Sequence, residues 1–152
     1  MRTTKDRALT VLSKYGAKLH VTMSRHSGGR LVRTFRGGDV LLLNHTGRRS
    51  GKAFTTPALY VRDGADYVIA ASNGGIDAEP QWWLNLQADP RGAVEIGGRR
   101  TPVHATQVDE ADRQRLWDAL MAKCPTYDDY QAGVSRRISL VRLSPIGEEQ
   151  PA

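Results

Sequence analysis

A short cationic segment between two apolar runs has the composition of an anion-binding loop. It occupies positions 47–52, reads Gly-Arg-Arg-Ser-Gly-Lys, and is flanked by β-like runs at residues 40–43 and 54–61. Its cations are Arg48, Arg49 and Lys52, and Ser50 adds a hydroxyl group. Glycine lets the backbone turn its N–H groups toward a ligand, and a guanidinium group binds phosphate through paired hydrogen bonds. The segment therefore predicts a loop that holds a phosphorylated ligand.

A second segment, at positions 70–75, reads Ala-Ala-Ser-Asn-Gly-Gly and precedes the pair Trp82 and Trp83. Small residues at the end of a strand leave room for a flat conjugated ring, and aromatic side chains can cover its faces. An ordinary strand–loop–helix corner with tryptophans in the core would show the same pattern. Composition alone favours that second interpretation.

Two tyrosines, Tyr127 and Tyr130, stand three residues apart. On one helical turn this spacing lets both hydroxyl groups face the same side. A tyrosine hydroxyl is a neutral proton donor, which suits a reacting carbonyl or nitro group. Two half-buried tyrosines that anchor a late helix would be spaced in the same way.

Other kinds of catalytic site lack their usual signals. The four histidines do not pair at ligand spacing and the single cysteine, Cys124, cannot form a thiolate cluster, so we expect no metal. No serine stands in a Gly-x-Ser-x-Gly elbow, and positions 47–52 lack the spacing of a Walker A loop. A Ser-His-Asp triad assembled from distant residues stays open.

The elements that must position these residues predict an α+β fold. Six strands are indicated at residues 40–43, 54–61, 67–71, 94–96, 99–108 and 138–143, with turns at positions 63–64 and 97–98. Helices are indicated at residues 80–88 and from Asp109, as the N-cap, to about Lys123. Strands joined mainly by hairpins predict an antiparallel barrel with flanking helices.

The N-terminal segment is basic and amphipathic. Residues 4 to about 26 place apolar side chains on one side of a helix and cations on the other. We expect an amphipathic helix over residues 1–27, a barrel domain over residues 28–146 and a disordered tail over residues 147–152. The helix either packs on its own domain or lies on a partner subunit or an anionic membrane surface.

Bulk composition narrows the classes of function. The chain has 152 residues, 25% of them charged, and a net charge of +6, which suits one folded domain. One cysteine, no signal peptide and no spanning apolar run indicate a cytoplasmic protein, with membrane association left to the N-terminal helix. Nucleic acid is not an expected partner, because the basic residues concentrate in one helix without interleaved aromatic residues.

Five motifs stand in a fixed order over about residues 30–145. They read Leu-Leu-Leu-Asn-His-Thr-Gly-Arg-Arg-Ser-Gly-Lys, Thr-Pro-Ala-Leu-Tyr-Val-Arg-Asp-Gly, Ala-Ala-Ser-Asn-Gly-Gly, Pro-Gln-Trp-Trp-Leu-Asn-Leu-Gln-Ala-Asp-Pro and Tyr-Asp-Asp-Tyr-Gln. Together they resemble the deazaflavin-dependent nitroreductase family of actinobacteria, within the split β-barrel flavin/deazaflavin oxidoreductases. The resemblance implies a split β-barrel reductase that uses reduced coenzyme F-420, an 8-hydroxy-5-deazaflavin. Its hydride acceptor would be a nitro compound, a quinone or an activated double bond.

The resemblance also implies roles for individual residues. Arg48 and Arg49, with Ser50 and Lys52, would hold the phosphate and acidic tail of the coenzyme. The residues implied to line or close the ring site are Pro57, Ala58, Ala71, Ser72, Asn73, Gly74, Gly75 and Trp82. On the substrate side, Tyr130 would donate a proton or orient the acceptor, Tyr127 would shape the pocket, and Ser72 would lie close to the reacting edge.

Three positions depart from the family pattern. Phe54 replaces a basic residue after the loop, Asn73 replaces a lysine in the ring segment, and Cys124 replaces an aromatic residue before the tyrosines. Each of the first two replacements removes a cation near the coenzyme. The third alters the wall of the acceptor pocket, so quinones and enones are as good candidates for the acceptor as nitroimidazoles are. A flavin mononucleotide (FMN) oxidoreductase on the same barrel and a non-catalytic coenzyme carrier are the alternatives. Monomer and homodimer are both open.

Overall fold

Alternating apolar residues and glycine-containing turns fold the strand segments of the chain into one antiparallel sheet that closes on itself. The computed structural model describes residues 34–35 and 38–147. Its strands are β1 (Thr34–Phe35), β2 (Gly38–Thr46), β3 (Ala53–Asp63), β4 (Asp66–Ala70), β5 (Arg91–Ile96), β6 (Arg99–Gln107) and β7 (Leu140–Pro145). They are ordered β1-β2-β3-β4-β7-β6-β5, and β2 also pairs with β5, which closes β2 to β7 into a six-stranded barrel. The predicted α+β antiparallel barrel is confirmed.

The two predicted hairpin turns are present, one of them a residue later than expected. Asp63 pairs with Asp66, so the turn residues are Gly64 and Ala65 rather than Asp63 and Gly64. The turn at positions 97–98 lies where it was predicted, and both of its glycines have the positive φ that a two-residue hairpin turn favours.

Three helices flank the barrel within the described residues: α1 (Gln81–Ala88), α2 (Glu110–Lys123) and α3 (Thr126–Ala132). The first two lie where the sequence predicts them. Asp109 occupies the N-cap position of α2, as predicted, although its side chain makes no capping hydrogen bond. The third helix carries the tyrosine pair. The predicted N-terminal helix and residues 148–152 of the predicted tail lie outside the described residues.

Strand β4 separates two hydrophobic cores, because its side chains alternate between the faces of the sheet. Tyr67 and Ile69 face the first core, which fills the barrel and includes both tryptophans of α1. Val68 and Ala70 face the second core, where α2 and α3 pack against the outside of the sheet. The buried residues that α2, α3 and their connection contribute to the second core are Leu116, Leu120, Cys124 and Tyr127.

An ion-pair network joins the β3–β4 turn to β7 and α2. Arg142 Nη1 lies 2.9 Å from Asp63 Oδ2 and 3.0 Å from Asp66 Oδ2, and Arg115 Nη1 lies 3.0 Å from Asp63 Oδ1. The side chain of Arg142 is 19% exposed, so its ion pairs are less screened by solvent than those of fully exposed groups. The network therefore connects the β3–β4 turn and β7 to helix α2.

Candidate active site

The cationic loop is a hairpin that connects β2 to β3. Gly47 N donates to Lys52 O at 2.8 Å, and Gly51 N donates to Gly47 O at 2.9 Å. Gly51 has a φ of 70°, a conformation that glycine adopts without strain. Lys52 N donates to Ser50 Oγ at 3.2 Å, so this hydroxyl orders the loop from within. The predicted phosphate loop therefore has a defined shape.

Arg48 is bound to helix α1, whereas its neighbouring cations are not. Arg48 Nη1 donates to Gln81 Oε1 at 3.0 Å and to Asn85 Oδ1 at 2.9 Å, and Arg48 N donates to the same Asn85 oxygen at 3.1 Å. Arg49 and Lys52 are exposed and make no side-chain hydrogen bond or ion pair with the part of the chain that the structure describes. The loop thus presents one cation that is hydrogen-bonded to α1 and two cations without a side-chain partner among the described residues.

Behind the loop lies a buried polar chain that sequence reasoning missed. Asn85 Nδ2 lies 3.1 Å from His45 Nδ1, and His45 Nε2 lies 3.0 Å from Thr56 Oγ1. His45 is 6% exposed and Asn85 is 4% exposed. Burial lowers the pKa of His45 from 6.5 to about 4, so the imidazole is neutral at neutral pH. The ring of Phe54, which is 45% exposed, stacks on His45 with the centroids 5.8 Å apart.

The small-residue segment forms a tight turn after β4. Asn73, Gly74 and Gly75 have successive positive φ values of 51°, 61° and 82°. Asparagine adopts this region more readily than most residues, and Asn73 Nδ2 donates to Ala78 O at 2.9 Å. Asn73 therefore holds the turn against the segment that follows it. Ala71 is buried and Ser72 is half-buried.

Arg136, which no sequence signal singled out, holds this turn from the segment after α3. Its Nη1 donates to Ala71 O at 3.0 Å, and its Nη2 donates to Ser72 O and Ile76 O, both at 3.2 Å. Its guanidinium also lies 3.7 Å from Glu79 Oε1, and its side chain is 15% exposed. Arg136 Nε and Glu79 Oε2 are buried without a hydrogen-bond partner among the described residues. Only folding brings these groups together, because they stand about sixty residues apart in the chain.

The two tyrosines have different surroundings. A Cβ atom on Gly75 would lie 2.8 Å from Tyr130 Cδ1, so the half-buried Tyr130 ring rests on the turn at a position that only glycine leaves open. Tyr127 is 7% exposed and belongs to the second core, where burial raises the pKa of its hydroxyl. The two ring centroids are 6.1 Å apart. Tyr130 therefore contacts the turn, and Tyr127 supports Tyr130 from the core.

The remaining predicted site residues lie in the barrel wall. Ala58 packs on the first core, and Pro57, its neighbour on β3, is half-buried on the opposite face of the strand. Trp82 is buried in the first core beside Trp83, with the ring centroids 6.4 Å apart. This placement matches the core interpretation of the tryptophan pair. Cys124 is buried in the second core near Tyr127.

The part of the chain that the structure describes contains no group of three or more His, Cys, Asp or Glu residues placed to bind a metal ion. Its helices are also too short or too polar for any of them to cross a bilayer.

The chain matches a sequence model of one protein family and is similar to several known proteins. Residues 16–145 match the model described as F420H(2)-dependent quinone reductase. An F420H(2)-dependent quinone reductase of Mycobacterium tuberculosis is 35% identical over 131 residues, which are 84% of this chain and 88% of that protein. A solved structure described as an F420-H2 dependent reductase (FDR-A) has a TM-score of 0.64 at 28% identity and covers 69% of this chain and 93% of its own. Another, described as a domain-swapped dimer, has a TM-score of 0.67 at 25% identity and covers 83% and 96%.

Proposed function

The chain belongs to the family described as F420H(2)-dependent quinone reductase, and from that premise we propose that it reduces an electron-poor small molecule, a quinone foremost, with reduced coenzyme F-420. The observation that carries this proposal is the cationic loop on β2–β3, whose Arg49 and Lys52 have no partner among the described residues, together with the glycine turn under Tyr130. One feature suits an anionic tail and the other suits a flat ring. The bound coenzyme would supply a hydride, and a quinone that receives a hydride and one proton becomes a hydroquinone.

The residues of the loop fit the anionic part of such a coenzyme. Arg49 and Lys52 would bind it without breaking a contact seen in the structure, and Arg48 would present the groups of its guanidinium that Gln81 and Asn85 leave open. The hydroxyl of Ser50 lies within the same loop. Phe54, which stands where the family has a cation, stacks on His45 and offers an apolar edge instead.

The turn at positions 73–75 and the barrel wall would hold the ring. Three successive residues with positive φ make this turn tight, and its two glycines have no side chain that would obstruct a ring. Arg136 holds the turn by donating hydrogen bonds to its carbonyl groups. Ala71, Ser72 and the neighbouring β3 residues Pro57 and Ala58 would line the slot, Ala71 and Ala58 through their backbone because their side chains face the first core. Trp82 would close it from the first core, where its ring is already packed.

Tyr130 is the residue proposed to orient the acceptor or to donate the proton. Its ring contacts Gly75 and is only half-buried, which leaves it accessible to a small molecule. Tyr127 would act behind it, since its hydroxyl is buried and burial favours the neutral form. Cys124 faces the same core, so the smaller side chain there would change how Tyr127 supports Tyr130.

A titration and an acceptor panel test the proposal. Purified protein is titrated with coenzyme F-420 and, in parallel, with FMN, with the fluorescence of each ring as the readout. The reduced deazaflavin is then supplied with a quinone, an enone and a nitroaromatic compound, and its oxidation is followed by absorbance. Saturable F-420 binding with quinone turnover supports the proposal. FMN binding alone would indicate the flavin alternative, and tight F-420 binding without turnover would indicate a carrier.

Assembly and membrane contact remain proposals of the same kind. We propose a homodimer, on the strength of the similar structure that is described as a domain-swapped dimer. Sedimentation of the full chain would return a single protomer mass if this is wrong. Contact with a membrane would need the N-terminal segment, so the full chain and a variant lacking residues 1–27 should partition differently onto anionic liposomes.

A further inference from the structure

Asn85 occupies the centre of the polar chain behind the cationic loop, and its orientation follows from its neighbours. Arginine carries only hydrogen-bond donors, so the Asn85 atom that faces Arg48 is the oxygen Oδ1. The amide nitrogen Nδ2 must then face His45, whose Nδ1 accepts the hydrogen bond at 3.1 Å. The imidazole therefore carries its proton on Nε2, which donates to Thr56 Oγ1 at 3.0 Å. The contacts from Arg48 to Asn85, from Asn85 to His45 and from His45 to Thr56 therefore each join one donor to one acceptor.

We propose that Asn85 is a positioning residue for anion binding, because it fixes the main chain and the side chain of Arg48 in the geometry that receives phosphate. This inference rests on the proposed function and deepens it. Asn85 would not touch the ligand, since it is buried beneath the loop, and it would act only through Arg48. His45 serves as the neutral acceptor that keeps the amide of Asn85 from turning over.

The position of Asn85 makes the effect specific. Its Oδ1 accepts from both Arg48 N and Arg48 Nη1, so one buried atom holds the backbone of the loop and its first guanidinium group. Gln81 also accepts from Arg48 Nη1, but that hydrogen bond is exposed to solvent, so it restricts Arg48 less than the hydrogen bonds to Asn85 do. Preorganising a cation before its ligand arrives lowers the cost of ordering a long side chain on binding. Arg49 and Lys52 have no such hydrogen bond within the described residues, so they would attract an anion by their charge without fixing its orientation.

A double-mutant cycle distinguishes positioning from general support of the fold. Asn85→Leu keeps the branched shape and the number of side-chain heavy atoms but removes all three hydrogen bonds of the Asn85 side chain, two from Arg48 and one to His45, and we expect the Kd for coenzyme F-420 to rise roughly tenfold. Arg48→Ala alone should weaken binding by at least as much. If Asn85 acts through Arg48, then adding Asn85→Leu to Arg48→Ala should raise Kd by much less than in the wild-type background, because only the hydrogen bond from the main-chain N of residue 48 is left to lose. At saturating coenzyme, kcat for a quinone should stay within about twofold of wild type, so that the loss falls on KM.

Two controls separate the inference from loss of stability. Leu86→Ala removes a core side chain from the same helix without touching Arg48, and it should lower the unfolding midpoint while leaving Kd unchanged. Gln81→Ala removes the exposed acceptor of Arg48 and should raise Kd less than Asn85→Leu does. Equal and additive effects of Asn85→Leu in both backgrounds, or a Kd for Asn85→Leu equal to that of wild type, would overturn the inference.

The same variants are also titrated with inorganic pyrophosphate, with the amide resonances of the loop as the readout. If wild type binds no coenzyme F-420, the proposed function fails, and the pyrophosphate cycle still decides the role of Asn85. A roughly tenfold loss of anion affinity in Asn85→Leu that becomes much smaller in the Arg48→Ala background supports the inference. Wild-type protein that binds neither the coenzyme nor pyrophosphate overturns both.

Discussion

The two glycines of the turn under Tyr130 form a matched pair that tests whether the turn positions that tyrosine. Gly74 and Gly75 both have positive φ, so alanine at either position costs about 1–2 kcal/mol of backbone strain. Nothing lies within 4 Å of a Cβ atom on Gly74, but one on Gly75 would lie 2.8 Å from Tyr130 Cδ1. Carbon atoms in contact prefer roughly 3.5–4.0 Å, so the ring or the turn must move by about 1 Å. Overpacking of this kind adds about 1–3 kcal/mol.

We therefore expect Gly75→Ala to lower the free energy of unfolding by about 2 kcal/mol more than Gly74→Ala does, as measured by urea denaturation. If Tyr130 acts on the acceptor, a displacement of that size should also reduce kcat for a quinone by roughly 10²-fold, while Gly74→Ala keeps most of its turnover. Combining Gly75→Ala with Tyr130→Ala should remove the extra destabilisation, because the clashing ring is gone. Equal losses of stability and turnover in the two alanine variants would refute the reasoning.

Three further predictions concern buried polar groups. Burial holds the pKa of His45 in the folded chain at about 4. Between pH 6.5 and 4 the unfolded chain therefore binds a proton at this histidine that the folded chain does not bind, and the free energy of unfolding falls as the pH drops through that range. Between pH 7 and 4.5, urea unfolding should therefore show a loss about 2–3 kcal/mol larger in wild type than in His45→Gln. Arg136→Met should increase hydrogen exchange at residues 72–76 selectively, because three carbonyl groups lose their donor; uniform exchange across the barrel would contradict this. Arg142→Met should lower the urea midpoint, whereas Arg137→Met, which breaks an exposed ion pair with Glu110, should leave it unchanged.

The sequence predicted the fold well because the fold rests on local signals. Glycine-containing turns and alternating apolar residues mark the strands, and the loop at positions 47–52 and the turn at positions 73–75 lie at strand ends, as their composition indicates. The tyrosine spacing predicted one helical turn, and α3 carries both residues. Local patterns report what a segment does within a few residues, which is enough for a barrel built mainly of hairpins.

The supports of the site could not be predicted in the same way, since each is a contact between distant segments. Asn85 reaches a loop thirty-seven residues away, and Arg136 reaches carbonyl groups sixty to sixty-five residues away. His45 offered no signal, because a lone histidine in a strand has many uses. Asp109 lies at the predicted N-cap position, but its side chain makes no capping hydrogen bond, and the type of a residue does not by itself show whether one forms.

The division of the apolar residues into two cores has a consequence for how such an enzyme can diverge. The first core supports the barrel and α1, and with them the loop proposed to bind the coenzyme. The second core supports α3 and the tyrosine proposed to meet the acceptor, and Cys124 belongs to it. Substitutions in the second core could reshape the acceptor wall while the barrel interior stays intact. The coenzyme-binding part of the protein would then be conserved by selection for a common reductant, while the acceptor-binding part would change as new substrates are used.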